Sequence, residues 1–233
     1  MIYLLDKQSG WTSFDLVKKV RGIISEKEGK KVKVGHAGTL DPLATGLMIV
    51  ATGHDTKKLN ELTGLDKTYV AEFLLGRKTD TADQEGQILQ ENFELAQKLE
   101  KEQINEAVEK LEGSHELSVP LYSAVKVEGK PLYRYARNNQ TPPRIPVREM
   151  RVYESKLIEV TDSFGVSAHS KGILVRLEVS VASGVYIRSL SEHLGQLLGV
   201  PAMMWSLRRI KIGEYDISQA TIIEDLIQDQ QSK

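Results

Sequence analysis

The residues whose side chains are best suited to catalysis lie together between Gly35 and Gly46, in the sequence GHAGTLDPLATG. This stretch contains one carboxylate, Asp41, and one imidazole, His36, and such groups can act as acid, base or nucleophile. Pro42 disfavours the α region at Asp41, which predicts an extended backbone that fixes the direction of the carboxylate. Asp-Pro is also a common turn dipeptide in which the Asp bonds only its own backbone. The spacing alone leaves both interpretations open.

The composition limits the chemistry that the chain can support. Its 233 residues include no cysteine, which excludes disulfides and thiolate nucleophiles, and its five histidines show no metal-ligand spacing. No apolar run approaches the roughly 18 residues that a transmembrane helix needs, and the N-terminus lacks the basic start and apolar segment of a signal peptide. We therefore expect a cytoplasmic protein without a metal and without a membrane span.

The net charge of −1 conceals an uneven distribution of charge along the chain. Residues 80–116 carry a net −8 from 11 acidic and 3 basic residues, and residues 126–151 carry +5 from 7 basic and 2 acidic residues. The basic segment interleaves tyrosines with cations, which suits RNA because rings stack on bases and cations contact phosphates. A solvated basic helix with inward tyrosines is the alternative. The RNA-binding candidates are Lys126, Lys130, Tyr133, Arg134, Arg137 and Arg144.

Hydrophobic periodicity predicts a series of strands and helices, and with no internal repeat or linker in the sequence we expect a single domain over residues 1–233. The glycine-rich stretch is expected to be a loop that leads into a buried strand, Thr12 or Ser13 can cap the first helix, and residues 77–83 form a polar loop. The predicted strands are 2–5, 47–51, 67–76, 119–130 with its turn, 147–160, 173–182 and 205–213. The predicted helices are 13–24, 56–62, 103–111, 132–138, one that opens near 187 and a short acidic helix at the C-terminus.

Several motifs together resemble those of the TruB-type tRNA pseudouridine synthases over nearly the whole chain. Residues 35–46 fill every specified position of the family signature G-H-x-G-x-L-D-P-x-A-x-G. Further similar segments are K-x-Y at 67–69, R-x-T-D-T-x-D at 77–83, the RNA-binding thumb at 120–126 and 133–137, G-T-Y-I-R-[ST]-L at 184–190 and L-R-R at 207–209. The chain departs from the family at Val185, where threonine is usual, and at Glu192, where aspartate is common.

The resemblance implies a fold, a reaction and a partner. The fold is the pseudouridine synthase fold, which is α+β, with a mixed and largely antiparallel sheet flanked by helices and an RNA-binding thumb inserted at about 120–148. The reaction is isomerisation of the T-loop uridine at tRNA position 55 after base flipping, which needs no cofactor. The partner is the T-arm of tRNA. We expect a monomer without an obligate protein partner and without the C-terminal PUA-type domain that many of these synthases carry.

The resemblance also implies a role for each site residue. Asp41 is the catalytic carboxylate, and whether it attacks the ribose or the base stays open. Arg188 would pair with Asp41 and hold it ionised, and Tyr69 would stack on the flipped base and assist the late proton transfer. His36 would fill the space left in the folded T-loop, and the pocket would be lined by Tyr186 and Leu207. From the residues alone, a tyrosine such as Tyr69 is more often a packed strand residue, and an arginine such as Arg188 is more often an ordinary surface residue.

Three other functions fit parts of the sequence. The main alternative is a non-catalytic tRNA-binding or tRNA-folding protein, which would use the thumb but needs neither Asp41 nor Arg188. A uridine carbon-5 methyltransferase would normally use a cysteine nucleophile, and this chain has none. It would also need a nucleotide-binding glycine loop that follows a strand, whereas the stretch at 35–46 precedes one. A small-molecule hydrolase with His36 and Asp41 as acid and base would leave the thumb unexplained.

Overall fold

The computed structural model describes residues 1–163 and 171–226. The chain divides into two compact units, Met1–Val70 with Leu207–Lys233, and Ala71–Ser206. The strands are β1 (Ile2–Lys7), β2 (Val34–Ala37), β3 (Thr45–Thr52), β4 (Lys67–Leu75), β5 (Arg77–Thr79), β6 (Ile88–Glu91), β7 (Gly113–Ser118), β8 (Lys126–Val127), β9 (Lys130–Pro131), β10 (Val147–Ser163), β11 (Gly172–Val181), β12 (Ala202–Ile212) and β13 (Tyr215–Asp216). The helices are α1 (Ser13–Glu28), α2 (Leu59–Gly64), α3 (Phe93–Ala96), α4 (Lys101–Glu109), α5 (Leu132–Arg137) and α6 (Ile187–Leu198), with 3-10 turns at Gly53–Lys58 and Ile217–Gln219.

The first unit is built around β3, in which every residue from Gly46 to Thr52 is buried. β3 pairs antiparallel with β1 and with β2, and parallel with the end of β12. Leu47 and Ile49 of β3 pack with Leu62 of α2 in a core that Ala37 and Ile212 complete. A sheet with both pair types and helices packed on it confirms the predicted α+β fold with a mixed sheet.

The first helix begins where the sequence predicts and ends later. Thr12 caps α1 in a capping box with Asp15, so one of the two proposed caps is confirmed. The helix continues beyond the predicted end near 24 to Glu28, where Gly29 at φ 62° provides a left-handed cap. The apolar stripe ends with Ile24, but the polar turn that follows still makes helical hydrogen bonds, and periodicity does not register such a turn.

In the second unit the strands lie in the order β4, β11, β10, β7, with the β5–β6 and β8–β9 hairpins outside this path. β10 pairs antiparallel with both β11 and β7. The acidic helix predicted at 103–111 is α4, and it is amphipathic, because Ile104 and Val108 are fully buried while its acidic residues are not buried. Its charge therefore belongs to a solvated face, as expected.

Three local predictions were wrong, each because a partner strand decided the outcome. Residues 35–37 of the glycine-rich stretch belong to β2, because His36 pairs with Val50 of β3, and the loop proper is 38–44. Residues 77–79 of the supposed polar loop form β5 against β6, which the sequence did not suggest. Of the strand and turn expected at 119–130, the structure shows only the short β8–β9 hairpin at 126–131, and the longer strand of this region is the polar β7 at 113–118, which pairs with β10.

The C-terminal helix begins at residues 223–226, and the rest of that predicted helix, like His169, lies outside the described residues. No helix within the described ranges is both long and apolar enough to cross a bilayer.

Candidate active site

Asp41 lies on the loop at 38–44, between β2 and β3, where it is partly exposed. The carbonyl groups on both sides of it accept hydrogen bonds from outside the loop. The bonds are Arg209 Nη2 to Gly38 O (3.3 Å), Arg209 Nη1 to Thr39 O (3.5 Å), Ser13 Oγ to Leu40 O (3.0 Å), Lys7 Nζ and Gly10 N to Pro42 O (3.2 and 2.9 Å) and Ser9 Oγ to Leu43 O (3.2 Å). The carboxylate thus projects from a fixed backbone, which is the arrangement that a catalytic group needs.

Two buried cations hold this loop, and the sequence analysis assigned no role to either. Lys7 and Arg209 are each 1% exposed. Besides Pro42 O, Lys7 Nζ donates to Trp11 O (2.7 Å) and Gln8 O (3.0 Å). The alternation of side chains along a strand could have revealed both buried cations. Lys7 shares a face of β1 with buried Leu5, and Arg209 shares a face of β12 with buried Leu207. A charged side chain that faces the core needs hydrogen-bond partners there, because burying an unpaired charge is unfavourable.

His36 lies on β2, next to this loop, in surroundings that favour the neutral imidazole. Burial lowers the pKa of its imidazole and the charge of Arg209 lowers it further, while a hydrogen bond with the backbone of Gly38 acts in the opposite direction. Its Nδ1 is buried without a hydrogen-bond partner among the described residues. A neutral imidazole with an unused ring nitrogen suits a base or ribose contact better than a phosphate contact.

Tyr69 and Leu207 are the two predicted pocket residues that the first unit buries deeply, each being 7% exposed. Tyr69 lies on β4, on the same face as Lys67, in a segment where buried and half-buried residues alternate. Leu207 lies on β12, two residues before Arg209. Both side chains belong to the sheet itself, so that their positions are set by strand pairing and do not depend on a loop.

Lys67 is a third buried cation of this unit, and it makes stability depend on pH. Its Nζ donates to Thr63 O and Leu65 O, both at 2.6 Å, and desolvation together with the charge of Arg209 lowers its pKa from 10.5 to about 8. Between these two values the unfolded chain binds more protons at Lys67 than the folded chain does, so the free energy of unfolding rises with pH in this window.

We therefore expect the difference in unfolding free energy between wild type and Lys67→Met to increase from pH 8 to pH 10.5, by up to roughly 3 kcal/mol. Denaturant unfolding at several pH values measures this difference. Lys57→Met, which removes an exposed lysine of the same unit, is the control and should give a flat difference. A flat difference for Lys67→Met as well would contradict the shifted pKa.

Arg188 lies in the first turn of α6 in the second unit and is 5% exposed, so it is not the surface residue that its sequence position allowed. Its Nη1 donates to Thr81 O at 3.1 Å and its Nη2 to Tyr122 O at 2.9 Å. The carboxylate of Asp83, itself 4% exposed, lies 3.7 Å from Nη1. Arg188 thus ties the loops at 80–83 and 119–125 to α6. Its predicted pairing with Asp41 stays a prediction.

Tyr186 precedes Arg188 by two residues and is the N-cap residue of α6, without a side-chain cap hydrogen bond. It is half-buried. Its side chain therefore takes no part in capping the helix, and its role in lining the pocket stays a prediction.

Comparison with known proteins identifies the family. Residues 24–187 match the model of the TruB family pseudouridylate synthase N-terminal domain, and residues 188–232 match that of the tRNA pseudouridylate synthase B C-terminal domain. The chain belongs to the TruB family. The two models meet inside α6, immediately before Arg188.

Individual TruB relatives cover almost the entire chain. A protein of Chloroherpeton thalassium named tRNA pseudouridine synthase B is 38% identical over 97% of this chain and 88% of its own length. A protein of the same name from Lactobacillus delbrueckii subsp. bulgaricus is 39% identical over 97% of this chain and 72% of its own. Among solved structures, a Cbf5–Nop10–Gar1 complex contains a chain with TM-score 0.68 and 27% identity; the match covers 97% of this chain and 53% of that one. This chain thus spans about half the length of that structural relative.

The thumb of this TruB-family chain, taken as residues 120–148, carries its predicted RNA-binding residues in two different ways. Lys126, Arg134, Arg137 and Arg144 are exposed. Lys130 instead donates to Gln140 Oε1 and lies 4.2 Å above the ring of Tyr135. The guanidinium of Arg137 lies 5.4 Å from the centre of the half-buried Tyr133 ring. The exposed cations are available to phosphates, whereas Lys130 also organises the thumb itself.

The sequence-predicted residues are distributed between the two units of the TruB-family chain. Asp41, His36, Tyr69 and Leu207 belong to the first unit. Arg188, Tyr186 and all six RNA-binding candidates belong to the second. The residues that the sequence analysis missed are those that hold the predicted ones: Lys7, Ser13 and Arg209 for Asp41, and Asp83 for Arg188.

Proposed function

We propose that this TruB-family chain converts the T-loop uridine at position 55 of tRNA to pseudouridine. The observation that carries the proposal is Asp41, a partly exposed carboxylate on a loop whose carbonyls are held on either side. The name of the relatives, tRNA pseudouridine synthase B, supports the same reaction and substrate. A protein that only binds tRNA needs no such carboxylate, so that alternative leaves the best-organised feature of the first unit without a purpose.

The reaction breaks the bond between ribose carbon 1′ and uracil nitrogen 1, rotates the uracil and joins carbon 1′ to carbon 5. Carbon 5 loses a proton and nitrogen 1 gains one, so the product is an isomer of the substrate. Asp41 supplies the nucleophilic carboxylate, directed at the ribose or at the base, much as a carboxylate acts in retaining glycosidases. Either route requires an ionised Asp41 in one fixed orientation.

The remaining site residues prepare the target base for Asp41. A stacked uridine must be flipped out before its glycosidic bond can be reached. Tyr69 stacks on the flipped uracil and assists the late proton transfer from carbon 5, and Tyr186 and Leu207 line the pocket. His36, as a neutral imidazole, occupies the space that the flipped nucleotide leaves in the T-loop. Arg188 pairs with Asp41 and favours its ionised form.

The thumb brings tRNA to the site. Lys126, Arg134, Arg137 and Arg144 contact phosphates, while Tyr133 offers a ring for stacking once Arg137 moves onto the backbone. Lys130 adds charge and keeps the ring of Tyr135 in place. We further infer that the chain works as a monomer in the cytoplasm, with the T-arm of tRNA as its partner and without a metal, a cofactor or an obligate protein partner.

The T-arm alone should suffice as substrate, because the proposed thumb and pocket contacts all fall on that arm. We expect tritium release from a hairpin with [5-³H]uridine at position 55 to have a kcat within about tenfold of that on full tRNA, since the contacts that act on the reacting base are unchanged. A hairpin labelled only at other uridines is the control. Release from full tRNA but not from the hairpin would refute T-arm sufficiency. Binding of both RNAs without release from either would favour the non-catalytic alternative.

A further inference from the structure

Arg209 is a buried guanidinium whose hydrogen bonds all go to backbone carbonyls of β3 and of the loop that carries Asp41. Its Nε donates to Leu47 O at 2.7 Å, its Nη1 to Thr39 O at 3.5 Å and its Nη2 to Gly38 O at 3.3 Å. Within residues 1–163 and 171–226 no carboxylate lies at ion-pair distance from it. Burying a cation without an anion is unfavourable, so a contribution to the stability of the fold does not explain why Arg209 is buried here.

The same residue also fixes the other end of the loop through its backbone. Arg209 is the parallel partner of Gly46 at the start of β3. At Gly46, with φ 105°, an added Cβ would come within 2.3 Å of Arg209 O, so only glycine permits this approach. One residue therefore holds both ends of residues 38–46, with its guanidinium at Gly38 and Thr39 and its backbone at Gly46.

Gly38 completes this contact on the loop side. It has φ 84°, and a Cβ built on it would lie 3.5 Å from Arg209 Nη1 and 3.7 Å from Lys67 Cε. The two cations therefore lie against the glycine that begins the loop, three residues before Asp41. The positive potential they create at the loop favours an anionic side chain on it.

We propose that Arg209 is a positioning residue that sets the orientation of the Asp41 carboxylate by holding the two ends of its loop. The inference rests on the proposed isomerase function. Arg209 does not touch the substrate; it acts on kcat through Asp41. Small displacements of a catalytic group have large effects on rate, because the reacting atoms must be aligned to within fractions of an ångström.

The test compares Arg209→Met and Arg209→Lys with wild type, by tritium release from labelled tRNA at a temperature at which unfolding curves show each variant fully folded. We expect Arg209→Met to lower kcat about 100-fold with KM and tRNA affinity within about threefold of wild type. Arg209→Lys keeps the charge but reaches fewer carbonyls, so its kcat should lie between that of wild type and that of Arg209→Met. Lys211→Met, an exposed cation on the same strand, is the control and should retain wild-type kcat.

The comparison of kcat with KM, together with partial rescue by Arg209→Lys, separates positioning from a general structural role. A general loss of structure would weaken tRNA binding as well as kcat, whereas a displaced Asp41 lowers kcat alone. An unchanged kcat in folded Arg209→Met, or a raised KM with unchanged kcat, would overturn the proposal. If Arg209→Met fails to fold, Arg209→Lys alone decides, because wild-type kcat in that variant would equally overturn it. Absence of release by wild type would instead refute the isomerase function.

Discussion

Replacing Asp41 by Asn should abolish pseudouridine formation while leaving tRNA binding intact. The substitution keeps the shape of the side chain and removes its negative charge. The reaction needs that charge because the carboxylate acts as the nucleophile toward the ribose or the base. Because five backbone carbonyls of the loop accept hydrogen bonds from outside it, the fold of the loop should survive. We expect kcat to fall by roughly 10⁴-fold or more, the scale on which removal of a catalytic nucleophile acts.

Tritium release from labelled tRNA measures kcat, and filter binding measures tRNA affinity, which should stay within about threefold of wild type because phosphate contacts dominate it. Glu61→Gln, which removes an exposed carboxylate of the same unit, is the matched control and should keep full activity. Substantial release by Asp41→Asn would show that another carboxylate carries the reaction. Asp83, buried beside Arg188, would then be the first to test.

The loop around Asp41 and the buried strand that follows it could be predicted from the sequence because the information is local. Glycines, a proline and an apolar strand follow one another within seventeen residues of 35–51, and the buried strand they lead into is β3. The capping box of α1 is local in the same sense, since Thr12 and Asp15 bond each other's backbone. Features of this kind can be recognised from residue types alone.

The features that escaped the sequence depend on residues far apart in the chain. β2 takes over residues 34–37 only because β3 pairs with it, and the polar strand β7 exists because β10 lies beside it. Arg209 contacts Gly38 across 171 positions and Lys7 contacts Pro42 across 35. The alternation of residues along a strand can identify a cation that faces inward, but the carbonyl groups to which it donates are known only from the three-dimensional structure. The same limit applied to Arg188, whose position in a helix was predicted and whose contact with Asp83 was not.

Arg188 should have two separable roles, one in stability and one in catalysis. In the second unit it binds Thr81 O and Tyr122 O and lies 3.7 Å from the buried carboxylate of Asp83. Arg188→Met leaves that carboxylate without its cation, so we expect a loss of about 3–5 kcal/mol in unfolding free energy. By the proposed mechanism it also removes the partner of Asp41, so kcat should fall about 100-fold or more even where the variant is folded.

The double variant Arg188→Met with Asp83→Asn separates these roles. Removing both members of a buried ion pair is much less destabilising than removing one, so stability should recover most of the loss. Activity should not recover, because nothing replaces the cation at Asp41. Asp83→Asn alone is the matched control, and it should be destabilised yet keep kcat within about tenfold of wild type, since Arg188 retains its two carbonyls. Denaturant unfolding and tritium release on the four proteins give both quantities. If activity recovers together with stability in the double variant, then Arg188 serves the fold alone, and another cation must hold Asp41 in its ionised form.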